Sequence, residues 1–278
     1  MRHHDPVLLL LPPSEAKSPG GDGPPLAQRA PAEHRGGAGG RLEDLQVARH
    51  KVLTAVARFC RRSPTAARTA LRLPAGSALA DLAANIAVLD APTMPALHRF
   101  TGVLFEALDL RTLTAPQRHR AGASTLVFSG AFGVLPGDEP VPVHRVPASA
   151  SVPGVGGLTS YWKQVLRGAL PPRVDGERLV VDLRSSDYAA MWQPTAEQAS
   201  RVLAVRVLED RAGTLRAVSW SAKHGKGLLA RELLRSHTSR TPVRSVEDVT
   251  AAAERIGYAA RPTCTVAGTP RLDLIVPR

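Results

Sequence analysis

Three short apolar runs in this chain each break into a crowded polar loop, and that repeated grammar limits what it can fold into. Leu179 to Leu183 (LVVDL) runs into Arg184, Ser185, Ser186, Asp187 and Tyr188. Val7 to Leu11 runs into Pro12-Pro13-Ser14-Glu15-Ala16-Lys17, and Thr125 to Ser129 into Gly130-Ala131-Phe132-Gly133. The runs have the length and side chains of buried strands. Polar groups crowded at the end of a buried strand cost free energy unless they meet partners or a ligand. In sheets of buried strands, such ends are where sites are built. Three strands that deliver three polar loops predict one shared site.

A chain of 278 residues can bury a large core, as one compact unit or as two small domains. Its 44% hydrophobic content suits a globular protein rather than a disordered one. No apolar run reaches the ~18–20 residues that span a bilayer. The apolar run after Arg2 is interrupted by Pro12-Pro13 and is followed by no small-residue cleavage pattern, so no signal peptide is expected. Cys60 and Cys264 lie far apart with no metal or disulfide spacing, which predicts a reduced, cytoplasmic protein. The formal net charge of +12 and pI near 10.8 set up a field that attracts polyanions. A GC-rich coding sequence would give the same excess of arginine, so charge alone leaves a nucleic-acid partner open. With 31 arginines against five lysines, the lysines mark places that need a compact or deprotonatable amine. Lys17, Lys223 and Lys226 fall in motif-like stretches, whereas Lys51 and Lys163 read as helix-surface residues.

Along the chain, residues 18–40 are dominated by Gly, Pro and Ala and predict a flexible loop, or a lid over the site. Helical spacing follows over 41–60. Ser63-Pro64 opens a second helix to about Leu71, and Leu73-Pro74-Ala75-Gly76-Ser77 turns the chain into a third, Ala78 to Leu89. This 63–89 unit is a helix–hairpin–helix-like element, whose turn amides would face a phosphate in a DNA-binding version, or a plain αα-hairpin. Pro95 to Leu110 reads as one helix, and Thr114 opens another. Gly154 to Gly157 precedes a helix over 158–170 whose N-terminus could hold an anion. Val202 to Val207 pairs with Leu215 to Ser219 as a hairpin. Ser219 to Arg231 turns into a helix, Ser245 to Ile256 is a helix opened by a capping box, and Leu272 to Val276 is a closing strand. No repeat or interdomain linker stands out, so one domain over 1–278 is expected.

Taken in order, LLLPPSEAK, FTGVLFEAL, FSGAFGVLPGD with the His144-Arg145 pair, LVVDLRSSDYAAMW and AKHGKGLLAR resemble the YaaA family of peroxide-stress-resistance proteins. The resemblance covers Leu8 to Val276. It implies an α+β fold, a single mixed β-sheet body surrounded by helices, with a helix–hairpin–helix element and a positively charged cleft. It also implies DNA binding and protection from peroxide by limiting free iron and damage. Position by position, Ser14, Glu15 and Lys17 match the family's N-terminal loop, and Ser129, Gly130 and Gly133 its glycine loop. Arg145 matches its following arginine, Tyr188 the tyrosine after the central strand, and Lys223, Lys226 and Gly227 its basic turn; Asp187 sits beside Tyr188. The chain departs where the family has an Arg-Pro pair (here Leu135-Pro136), a Tyr-Arg pair (His144-Arg145) and an Asn before the first lysine (Ala222). Either a changed ligand or relaxed constraint explains those losses.

Two functions follow. A DNA-binding stress protein would turn Arg145, Arg184, Lys223 and Lys226 toward phosphates, with Ser14, Ser129, Gly130, Gly133 and Asp187 completing the ligand cradle. A cleft enzyme, recruited to a specialised biosynthetic pathway, would use Glu15, Lys17, Tyr188 and Lys223 for acid–base or amine chemistry on a small anionic or carbonyl ligand. His144 would stand beside them, and a desolvated Lys17 or Lys223 near other cations would have a lowered pKa. His3, His4, His98, His144 and His224 show no ligand spacing, so neither a metal nor a cofactor is expected.

Overall fold

The four leucines Leu8–Leu11 (β1) are buried on both faces, as a strand must be when helices cover both sides of its sheet. The structure is a computed structural model that describes residues 7–28, 41–170, 174, 177–238, 241–265 and 268–276. After β1 come the helices α1 (Arg41–Arg62), α2 (Pro64–Ala70) and α3 (Ala78–Ile86), then β2 (Met94–Pro95), α4 (Ala96–Arg99), α5 (Val103–Leu108) and α6 (Ala115–Ser124). The middle of the chain gives β3 (Thr125–Ser129), β4 (Gly133–Pro136), β5 (Pro140–Val141), β6 (Ser151–Val152), β7 (Gly156–Gly157) and α7 (Leu158–Ala169). The last part gives β8 (Val180–Asp182), α8 (Ser186–Ala189), α9 (Ala196–Ala199), β9 (Val202–Arg211) and β10 (Thr214–Arg216). It closes with α10 (Ser219–Ser236), α11 (Val246–Arg255), β11 (Ala259–Cys264) and β12 (Pro270–Ile275).

The architecture is α+β. An eight-stranded mixed sheet has the order β11-β12-β9-β8-β1-β3-β4, with β10 paired to β9. Its middle is parallel: β1 pairs with β3 on one side and β8 on the other, and β8 pairs with β9. The register sets Leu10 beside both Leu126 and Asp182, so the three polar loops leave one edge of the sheet together. β1 is also where strand order reverses, the topological switch point at which α/β sheets form clefts.

Several local expectations change. The stretch 95–110 is two helices, because Phe100 is extended and Gly102 takes φ +94°. That break lets Phe100 bridge to Lys17. A Cβ on Gly102 would lie 2.8 Å from Ser14 Oγ, so the turn also accommodates the β1 loop. Within 18–40, residues 18–28 are tied down. Gly23 bridges to Thr93, and the fully buried Arg99 donates to Ser18 O, to Gly20 O at 2.8 Å and to Val141 O at 2.9 Å. The remainder, 29–40, lies outside the described residues. β9 is longer than expected and β10 pairs at its far end, through a tight turn with Ala212 and Gly213 at positive φ. The strand β11, which the sequence reading lacked, pairs antiparallel with β12. The N-terminal amides of α7 do not await an anion: Leu158 N and Thr159 N donate to Ala150 O and Ala148 O.

The 63–89 unit has two helices and a turn. The first-turn Asp81 of its second helix accepts from Ser77 Oγ at 2.7 Å and points to Arg145 at 3.8 Å. At the other end of the site, α10 rests on α5 through Gly227, where an added Cβ would overlap the carbonyl oxygen of Leu104. Gly227→Ala should therefore force the helices apart and lower the unfolding free energy by about 1–3 kcal/mol. Urea denaturation with an unchanged midpoint would show that the contact carries no such constraint.

Candidate functional site

A cavity of about 940 Å³ opens at the loop edge of β1, β3 and β8. It is lined by Ser14, Glu15, Lys17, Ser129, Arg145, Arg184, Asp187, Tyr188, Lys223 and Lys226, brought from remote stretches of the chain. Gly130 and Gly133 are not among its lining residues and serve packing instead. A Cβ on Gly130 would strike the backbone of Val146 to Ala148, and Gly133, at φ +71°, lies against the Trp162 ring. Gly130 O also accepts the Trp162 indole N–H at 2.8 Å.

Lys17 sits on the wall built by β1. Its Nζ donates to Ser14 O at 2.9 Å and Glu15 O at 3.2 Å, and lies 5.1 Å from the centre of the Phe100 ring. Burial and the Arg145 guanidinium pull its pKa down from 10.5 to about 7, against the opposing pull of Asp81 and Glu15. His144 is buried behind it, edge-on to Phe100 and Phe132, with Nδ1 at 3.0 Å from Pro142 O. Burial and the nearby Lys17 charge hold His144 well below its ordinary value, so it is a neutral imidazole. Arg145 is locked in place: its backbone exchanges two hydrogen bonds with buried Asn85, and its guanidinium pairs with Glu15 and Asp81.

The opposite wall is organised by Asp182, the one charge inside the LVVDL run. Arg184 Nε and Nη2 donate to its two carboxylate oxygens at 2.8 and 2.6 Å, and Arg184 Nη1 donates to Tyr188 O at 3.2 Å. The guanidinium is 1% exposed and lies over the Phe128 ring at 4.3 Å. Arg184, expected to meet phosphate, lines the cavity and turns its guanidinium toward Asp182. Burial pushes the Asp182 carboxyl up, but the charge and hydrogen bonds of Arg184 outweigh it and hold the group below its usual range.

Lys226, on α10, donates to Arg184 O at 2.8 Å. Burial lowers its pKa from 10.5 to about 8; Asp182 raises it and Arg184 adds to the fall. Tyr188 is pushed up to about 12, chiefly by burial, so it is a phenol at neutral pH. Ser129 Oγ accepts Ala131 N at 3.2 Å. Lys223 and Asp187 are exposed at the rim.

Sequence reasoning missed Asp81, Asn85, Asp182, Phe100 and the rim residue Arg72, which also lines the cavity. Only Asp182 carried a signal, as a carboxylate in an otherwise apolar strand. Among the described residues no cluster of three or more His, Cys, Asp or Glu side chains is placed to hold a metal ion. No helix there is long and apolar enough to cross a membrane.

Comparison with known proteins adds to this geometry. The sequence model of a family described as peroxide stress protein YaaA matches residues 7–263. A UPF0246 protein of Streptomyces coelicolor is 38% identical over 233 residues, 84% of this chain and 85% of the relative. UPF0246 proteins of Corynebacterium efficiens and Corynebacterium glutamicum are 32% and 31% identical, covering 87% and 90% of this chain and 91% and 93% of theirs.

The two amines make the site measurable. Competitive acylation followed by peptide mass spectrometry should show Lys17 half-reactive near pH 7 and Lys226 near pH 8. Arg145→Met removes a neighbouring positive charge and should move the Lys17 midpoint upward. A midpoint for Lys17 near 10.5, the ordinary value, would contradict the environment described.

Proposed function

Because this chain belongs to the YaaA family of peroxide stress proteins, we propose that it acts under peroxide stress by holding DNA phosphates at its cavity. The carrying observation is the balance of charge on the lining. Arg184 and Arg206 are neutralised by Asp182 and Asp273. Lys17, Arg72, Arg145, Lys223 and Lys226 remain, against Glu15 and Asp187 on the lining and Asp81 beside Arg145. Lys223 and Lys226 lie in the N-terminal half of α10, and Ser219, where α10 begins, also lines the cavity. The positive end of that helix dipole therefore adds to the field. A phosphate near Lys17 favours its protonated form and gains a cation as it binds. Contacts of this kind fix position rather than sequence, so the binding is independent of base sequence. Occupying the phosphate backbone would shield DNA from damage, in keeping with a family of peroxide stress proteins.

Amine chemistry is a second reading, favoured by the burial of Lys17 beside Arg145, which brings its pKa down to about 7. It ranks behind phosphate binding because Ser14 O and Glu15 O accept hydrogen bonds from Nζ, which favours the ammonium. Borohydride trapping with a small oxo acid would leave a mass adduct on Lys17 if imine formation occurs, and its absence would retire this reading.

The leading proposal is tested by fluorescence anisotropy with labelled DNA at ~50 mM salt. Binding should fall linearly on a log–log plot against salt, and Lys223→Gln should weaken it while reducing the slope by about 1. No binding at that salt would remove the proposal.

A further inference from the structure

The corner where β10 meets α10 presents two large apolar side chains to solvent, Leu215 and Trp220. Trp220 is 61% exposed, whereas Trp162 and Trp192 are buried. Its ring stacks on His224 one helical turn away, with centroids 5.0 Å apart and planes 9° from parallel. On the same helix Ser219, Ala222 and Lys223 line the cavity, and the stacked pair occupies the helix flank next to Ser219 and Lys223. Lys223 and Arg216 add exposed positive charge to this corner.

An exposed indole stacked on a half-buried imidazole, near a cationic cavity, has the two components of a single-strand binding surface. The rings offer a face to any unpaired base, and the cations take its phosphates. In a duplex, the bases are stacked on each other and cannot lie on the indole without unpairing. The indole itself is uncharged, so phosphate alone gives no reason for its exposure.

We propose that Trp220 and His224 form a stacking platform for an unpaired nucleobase, directing single-stranded nucleic acid across Lys223 into the cavity. This rests on the reading of the cavity as a phosphate site and adds a preference that phosphate contacts do not generate.

The test titrates the full chain with an oligothymidine of about 12 nucleotides and with a duplex of the same length, at ~50 mM salt. Tryptophan emission and the anisotropy of a label on the nucleic acid are followed together. The single strand should quench the emission and bind more tightly than the duplex. Trp220→Ala should weaken single-strand binding by about tenfold, and Trp220→Phe should retain most of it. Thermal unfolding checks that each variant is folded. Unquenched emission, or a Trp220→Ala variant that binds the single strand as the parent does, overturns the platform while leaving the cavity reading intact. Equal losses for single strand and duplex also overturn it. Failure of both nucleic acids to bind overturns both readings. A concentration-dependent dimer abolished by Trp220→Ala would assign the corner to a second copy of the chain and equally overturn the platform.

Discussion

The buried pair of Asp182 and Arg184 is the constraint around which one side of the site is assembled. Asp182 closes β8, and its two oxygens fix the guanidinium in a bidentate fork. That fork then seats on Phe128 of β3, reaches Trp192 at 5.4 Å and holds Tyr188 O. With the side chain held so, Arg184 O accepts from Lys226 and ties α10 to the sheet. Removing one member would leave a buried charge without its counterpart, a loss of about 3–5 kcal/mol.

The facing wall follows a different logic. Lys17, Arg145, Glu15 and Asp81 form a network of two cations and two carboxylates, with neutral His144 behind it. The lowered pKa of Lys17 ties stability to pH. In the unfolded chain its amine keeps a proton up to pH 10.5, whereas in the folded protein it loses it near pH 7. Between those values the unfolded state binds more protons, so stability rises with pH across that window. At and below neutral pH the folded state bears the cost of a poorly solvated ammonium. Such a cost beside a cavity accords with the phosphate contact proposed for Lys17.

The sheet and the meeting of its loops were legible because they depend on local pattern. Val7 to Leu11, Thr125 to Ser129 and Leu179 to Leu183 are predominantly apolar, and strands of that kind lie side by side in the interior. The break at Phe100 was not legible. Helical spacing from Pro95 to Leu110 is strong, and the reason to interrupt it is tertiary: Gly102 must pass Ser14, and Phe100 must reach Lys17. The role of Arg184 was hidden likewise, since an arginine beside a polar loop reads as a phosphate ligand until the side chain is seen turned toward Asp182. Gly130 and Gly133 looked like a ligand cradle because glycines permit close approach, but the closely approaching groups belong to the protein itself. β11 is mostly exposed, with no apolar run to announce it.

Arg99 has a consequence of its own. Its guanidinium is fastened by carbonyl oxygens of Val141, Ser18, Gly20 and Pro92. A carbonyl has no proton to gain in acid, unlike the carboxylates that clasp Arg145 and Arg184. Acidification would thus slacken the jaws around the cavity before it loosened the bolt that keeps the amino-terminal strap in place.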